Sequence, residues 1–319
     1  MSKRSSAGCR IFTSHRVTCQ LLAFLLALEQ TRLQALSKQC YRRAIPEAQP
    51  VSKLPWRELY FATADSGHFS HTVFIIDRRT GQFGHFTDSR LEWKRHLVIQ
   101  VRNKLLAFLD EFGRSVQVTC YENPISRRLL KRTQLEELKE SVQDYALANH
   151  LDKSVYLTGG SDTQGKASAK THRFDIGPGT WRRLPDLKQA RHHHSSCTVE
   201  KAVFVFCGHA EGEAGDLSSI ERLQVGGTRL FYAWDLLRVK GLSPRQFTLV
   251  SPVSATEILI YGGFLKRELS DAFIFNTKTH TVKKQNLTGA IPCVCWCPSI
   301  MLRPGTAFSL VCDNQQVLH

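Results

Sequence analysis

A short apolar strand ending in a glycine doublet recurs along this chain, and this constrains its fold more than any other feature. Val155–Thr158 is followed by Gly159-Gly160, Ile258–Tyr261 by Gly262-Gly263, and Val203–Phe206 by Cys207-Gly208-His209. Fainter apolar runs stand at Leu59–Ala62, Leu105–Leu109 and Phe308–Cys312. Their starts fall near residues 59, 105, 155, 203, 258 and 308, a period of roughly fifty. A fixed period in this range means one supersecondary unit used repeatedly, each burying its apolar face against its neighbours. Glycines directly after a strand fit a chain that turns sharply or passes close to another backbone.

A second marker runs in step with the first. Phe174 and Trp181 are separated by six residues that include the turn sequence Gly177-Pro178-Gly179. Ile76 and Phe83, Leu223 and Leu230, and Phe275 and Val282 keep the same gap. The best-formed block has four strands: a at Tyr145–Asn149, b at Val155–Thr158, c at His172–Asp175 and d at Thr180–Leu184. It resembles a kelch repeat, the four-stranded blade of a β-propeller. The resemblance covers about residues 50–319 and implies a mainly β chain, a six-bladed kelch-type β-propeller over residues 48–319.

The remaining blades follow by position. The first reads as Leu59–Ala62, His71–Ile76 and Gln82–Phe86. The second reads as His96–Val101, Leu105–Leu109 and Ser115–Tyr121, and Thr133–Ser141 has the composition of a short charged helix or an insertion. Leu242–Ser251 opens the fifth blade and Asn286–Ala290 leads to the sixth, which ends with a c-strand at Gln315–Leu318. Gln49–Leu54 is the segment available to complete that sixth blade, because pairing the two chain ends removes two open sheet edges.

Residues 20–46 read differently. Leu21, Leu22, Leu25, Leu28, Leu33 and Leu36 recur at spacings of three to five, in a context of helix-forming residues that Pro46 ends. The plain reading is a short α-helical lead-in packed on the propeller. The order Leu22, Phe24-Leu25, Glu29, Leu33, Leu36, Tyr41, Ile45-Pro46 also resembles the F-box, a helical hook that docks on the Skp adaptor of cullin ubiquitin ligases. The Leu-Pro that opens that motif is absent, with Thr13-Ser14-His15-Arg16 near its place. The resemblance makes residues 1–47 an N-terminal module and Leu22, Phe24, Leu25, Leu33, Leu36, Tyr41 and Ile45 its adaptor-binding residues.

Charge and cysteine usage narrow the function classes. The formal net charge of +15 raises acidic partners, but the basic residues are scattered, so the plain reading is a solvated basic surface, the sharper one a protein partner with an acidic segment, and nucleic acid is not expected. The apolar run Leu21–Leu28 is too short to cross a bilayer and lacks a small-residue cleavage site after it, so neither a membrane nor a secretory route is expected. The ten cysteines then read as small reduced core residues in a cytoplasmic chain.

Candidate chemistry is sparse. His192-His193-His194 alternates faces if extended, which keeps the three imidazoles from one ion. Cys293, Cys295 and Cys297 share one strand face without a partner pair at zinc-finger spacing. Gly159-Gly160 lacks the helix and Lys of a phosphate loop. No metal, cofactor or catalytic set is expected, although a propeller joins residues distant in sequence and a kelch-fold enzyme stays an open alternative. The better-motivated surface is one mouth of the propeller. Arg191 lies seventeen residues before Gly208 and Arg245 seventeen before Gly262, so both fall in d–a loops on one rim, with His192 and His194 beside them. Arg suits bidentate carboxylate recognition; the rival reading has these arginines capping loop carbonyls. By resemblance, the chain is expected to recognise substrates for a ubiquitin ligase; the alternative is a scaffold without a ubiquitin role, for example in cytoskeletal assembly.

Overall fold

The computed structural model describes residues 58–62, 72–77, 83–87, 96–101, 104–110, 114–122, 131–212, 215–225, 232–286, 299–303 and 306–309. Every strand among them belongs to an antiparallel sheet made of strands consecutive in sequence. The first sheet has three strands, β1 (Glu58–Ala62), β2 (Thr72–Asp77) and β3 (Phe83–Thr87). The second joins β4 (His96–Val101), β5 (Lys104–Asp110), β6 (Val116–Glu122) and β7 (Lys131–Gln134). The third joins β8 (Ala146–His150), β9 (Ser154–Thr158), β10 (Thr171–Asp175) and β11 (Thr180–Leu184). The fourth joins β12 (Ser195–Val199), β13 (Ala202–Phe206), β14 (Ile220–Gln224) and β15 (Trp234–Leu237). The fifth joins β16 (Leu249–Pro252), β17 (Glu257–Leu265), β18 (Arg267–Asn276) and β19 (Thr281–Gln285). The hairpin β20 (Ser299–Arg303) and β21 (Thr306–Ser309) forms the last.

The core lies between successive sheets. Side chains alternate along a strand, so each central strand feeds two cores. Val155 and Leu157 of β9 pack with Phe108 and Val118 of the second sheet, while Tyr156 between them packs with Val203 and Val205 of the fourth. Phe204 and Phe206 of β13 then face Ile258, Ile260 and Phe275 of the fifth. Both faces of β9 and β13 are therefore covered, and every residue of the two strands is buried. This explains why the sequence shows continuous apolar runs there instead of apolar–polar alternation. First strands of successive sheets lie side by side: β1 with β4, β8 with β12, β12 with β16 and β16 with β20. The Thr198 hydroxyl donates to the Asn149 carbonyl and the Ser195 hydroxyl to the Thr248 carbonyl, linking the first strand of the fourth sheet to both neighbours.

The aromatic marker of the sequence is a register marker. Phe174 pairs Trp181, Ile76 pairs Phe83 and Phe275 pairs Val282. In the fourth sheet the partner of Leu223 is Trp234, not Leu230, because the connection is longer there. Trp181 and Trp234 also tie their sheets to the one before: Trp181 Nε1–H donates to Glu136 O at 3.0 Å, and Trp234 Nε1–H to Pro185 O at 3.1 Å.

The expected helix or insertion at Thr133–Ser141 is instead extended. Lys131–Gln134 forms the fourth strand of the second sheet, and Leu138 continues the pairing with Val116. Leu135 and Leu138 enter the core between the second and third sheets, and burial of two leucines overrides the helical propensity of TQLEELKES. The expected b-strand at Phe308–Cys312 is represented by β21, two residues earlier. The expected N-terminal helices, the Gln49–Leu54 and Gln315–Leu318 segments and Cys293, Cys295 and Cys297 lie outside the described residues. Among the described residues no helix is long and apolar enough to cross a membrane. Cys120, Cys197 and Cys207 are free thiols in the core; burial pushes the Cys207 thiol up to about 12.

Candidate partner-binding site at the mouth of the sheets

The glycine doublets shape one end of the sheets. The first doublet position, Gly159, Cys207 or Gly262, has φ of 56°, 60° or 62°, and the second, Gly160, Gly208 or Gly263, has φ of 104°, 96° or 101°. A side chain is excluded at the second position. A Cβ would lie 2.4 Å from Gln143 O at Gly160, 2.7 Å from His192 O at Gly208 and 2.5 Å from Gln246 O at Gly263. The segments that approach so closely are the lead-ins to the first strands of the third, fourth and fifth sheets, and they carry the candidate site.

Arg191 and Arg245 join the doublets of neighbouring sheets. The Arg191 carbonyl accepts from Gly160 N–H at 2.8 Å, and its guanidinium donates to the Cys207 carbonyl at 2.8 Å. The Arg245 carbonyl accepts from Gly208 N–H at 2.9 Å, and its guanidinium donates to the Gly262 carbonyl at 2.9 Å. Both arginines are fully buried. Arg191 pairs with buried Glu221 at 2.8 Å. Arg245 pairs with Asp271 through two nitrogens, at 2.7 and 3.2 Å, and lies over the Phe273 ring. The expectation of two guanidiniums presented to a partner is thereby corrected: a buried guanidinium needs a carboxylate and carbonyls of its own, and Glu221 and Asp271 supply them. The carbonyl-capping alternative describes both residues.

His194 is also turned inward. It is buried, its Nε2 lies 3.0 Å from Thr158 Oγ1, and burial holds its pKa well below the ordinary histidine value. His192 is half-buried, with its ring beside those of His193 and His209. Burial, then the neighbouring His193, brings its pKa down to about 4. The adaptor-binding set Leu22, Phe24, Leu25, Leu33, Leu36, Tyr41 and Ile45 lies outside the described residues.

Residues that the sequence did not mark as partner-binding complete the mouth. Asp144, His193 and Phe247 each precede a first strand by two positions and each has φ of 52°. They hand on one hydrogen-bond chain, His193 N–H to Asp144 O at 3.3 Å and Phe247 N–H to His193 O at 2.8 Å. The left-handed backbone at His193 breaks the expected face alternation and sets consecutive rings side by side, with the centroids of His192 and His193 4.2 Å apart. The His193 ring rests on Phe247 at the same centroid distance, 4.2 Å. His209 lies 5.3 Å from His192, centroid to centroid, and its Nδ1 is 2.7 Å from Asp216 Oδ1. The mouth thus presents imidazole, carboxylate, amide and aromatic groups from three successive sheets. The repeat offset that marked Arg191 and Arg245 would also have marked Gln143-Asp144, His192-His193 and Gln246-Phe247, which occupy matching positions in it.

Residues 96–308, more than half of the chain, match the KLHDC2/KLHL20/DRC7 Kelch-repeats domain. A search of curated proteins finds no match. The matched segment runs from β4 to β21 and contains every doublet and every residue of the mouth. With its consecutive antiparallel sheets, glycine-shaped mouth and paired aromatic register, the chain belongs to this kelch-repeat family and carries a protein-interaction module.

Proposed function

We propose that the sheets close as a six-bladed ring over residues 48–319 and that its mouth binds an acidic segment of a target protein. The observation that carries this reading is the hydrogen-bonded series Asp144, His193 and Phe247, which brings side chains of three sheets to one opening. Polar loop side chains held by a scaffold of sheets suit peptide capture, and the net charge of +15 favours an acidic partner. Residues 1–47 act in the cytoplasm as an F-box-like module holding a Skp-type adaptor, which makes the chain a substrate-recognition subunit of a cullin-type ubiquitin ligase. The order of Leu22, Phe24, Leu25, Leu33, Leu36, Tyr41 and Ile45 supports this role. The absence of the opening Leu-Pro favours the second reading, a kelch scaffold without a ubiquitin role. Co-purification of the full chain and of a chain lacking residues 1–47 separates the two. A Skp adaptor lost on truncation supports the ligase role, and no Skp adaptor with either chain excludes it.

A further inference from the structure

A chain of polar side chains crosses the mouth from Asp216 to Asp144. A carboxylate only accepts, so Gln246 turns its NH2 toward Asp216, with Nε2–H donating to Oδ1 at 2.6 Å. Gln246 Oε1 therefore faces His193 Nδ1, at 3.0 Å. An amide oxygen also only accepts, which places the proton of a neutral His193 ring on Nδ1. His192 Nδ1, 3.0 Å from the same atom, is then an acceptor as well. His193 Nε2 is left with its lone pair, and it stands 3.4 Å from Asp144 Oδ2. Ser161 Oγ–H donates to that carboxylate oxygen at 3.4 Å. The Nε2 lone pair and the carboxylate oxygen, 3.4 Å apart, can serve as donors to one cation.

We propose that Asp144, His192 and His193 form a binding site for a divalent transition-metal ion of the zinc class. One donor atom of each residue lies within 4.8 Å of the other two. Donors around a tetrahedral zinc, at about 2.0–2.1 Å from the ion, stand roughly 3.3 Å apart, so the His193–Asp144 spacing already fits and the widest closes by a side-chain rotation. Two imidazoles and one carboxylate suit zinc, copper or nickel, whereas magnesium and calcium prefer all-oxygen shells. Gln246 supplies the outer support usual for a ligating imidazole, its Oε1 accepting from His193 Nδ1–H and fixing ring and tautomer. A bound ion ties the lead-ins of the third and fourth sheets together and keeps at least one position open at the mouth for water or for a donor from the bound protein.

The test uses the full chain, stripped with a chelator and titrated with Zn2+ and with Co2+, with Mg2+ as the hard-ion control. Co2+ reports donor chemistry: an imidazole–carboxylate site gives d–d bands without the thiolate charge-transfer band of a cysteine site. The expected result is one equivalent of Co2+ or Zn2+ without a thiolate band and no saturable Mg2+ uptake. Asp144→Asn and His193→Gln, each with a native circular dichroism spectrum, should weaken uptake at least tenfold. If His193→Gln does not fold, Asp144→Asn with His192→Gln decides. Uptake unchanged in the folded variants, a thiolate band alone, or no saturable uptake of either Zn2+ or Co2+, overturns the proposal. None of these readouts depends on a protein partner or on residues 1–47, so they separate this site from the ligase reading.

Discussion

Arg191 Nη2 and Glu221 Oε1 form an ion pair at 2.8 Å in which both side chains have zero solvent exposure. The pair does more than offset two charges. Glu221 accepts from the backbone N–H groups of Lys188 and Gln189, at 2.6 and 3.0 Å, and Arg191 donates to Cys207 O and Ser219 O. The loop ahead of the mouth is thus held to β14 by charge-assisted bonds.

Breaking this pair is expected to be costly. Removing one partner strands the other charge in the core, at about 3–5 kcal/mol. Arg191→Ala and Glu221→Ala should each lower stability by that order in urea denaturation, with the double variant far from the sum. Additive losses would show that the two side chains act separately.

The second glycine of each doublet is the next test. At Gly208 an alanine would combine φ of 96° with a Cβ 2.7 Å from the His192 carbonyl oxygen. Backbone strain of this kind costs about 1–3 kcal/mol, before any steric shift. Gly208→Ala should therefore lower the melting temperature clearly, whereas Gly165→Ala, with φ of 82° but open space around it, should cost less. Equal losses would count against the close approach.

Trp234 and Trp181 rank differently. Trp234 is 1% exposed among Tyr156, Val203 and Leu223, and Trp234→Ala should cost about 3–5 kcal/mol. Trp181 packs on Phe174 and Phe108, with centroids 5.1 and 6.0 Å away, but it is only partly buried, so Trp181→Ala should cost about 2 kcal/mol. Denaturant midpoints of the two variants check the order.

Acid should destabilise the fold before its carboxylates titrate. His150, His172, His192 and His194 all have pKa values below the ordinary 6.5, in each case chiefly because burial disfavours the charged ring. The unfolded chain then binds more protons than the folded one below pH 6.5, so the contribution is complete above that pH and is lost as pH falls. The loss reaches up to about 1.4 kcal/mol per pH unit for each histidine, and for His192 it levels off near pH 4. Urea titrations between pH 7.5 and 5 should show this slope, and His194→Gln should make it shallower. A stability that is flat over that range would contradict neutral burial of these rings.

What the sequence determined by itself is local. The apolar runs of β9 and β13, the doublets after them and the Phe174–Trp181 register are visible because strand period, turn chemistry and hairpin pairing act over a few residues. Tertiary structure decided the rest. TQLEELKES is extended because Leu135 and Leu138 reach a core whose other side is the third sheet. Trp234, not Leu230, meets Leu223 because a longer connection still closes on the same pairing. The direction of Arg191 depends on Glu221, thirty residues further on, and that of Arg245 on Asp271, twenty-six further on. No offset in the sequence tells whether a guanidinium on a loop turns to solvent or to such a partner. The convergence of His192 and His193 rests on one positive φ, set where the lead-in passes against its neighbours, and only the folded chain shows it.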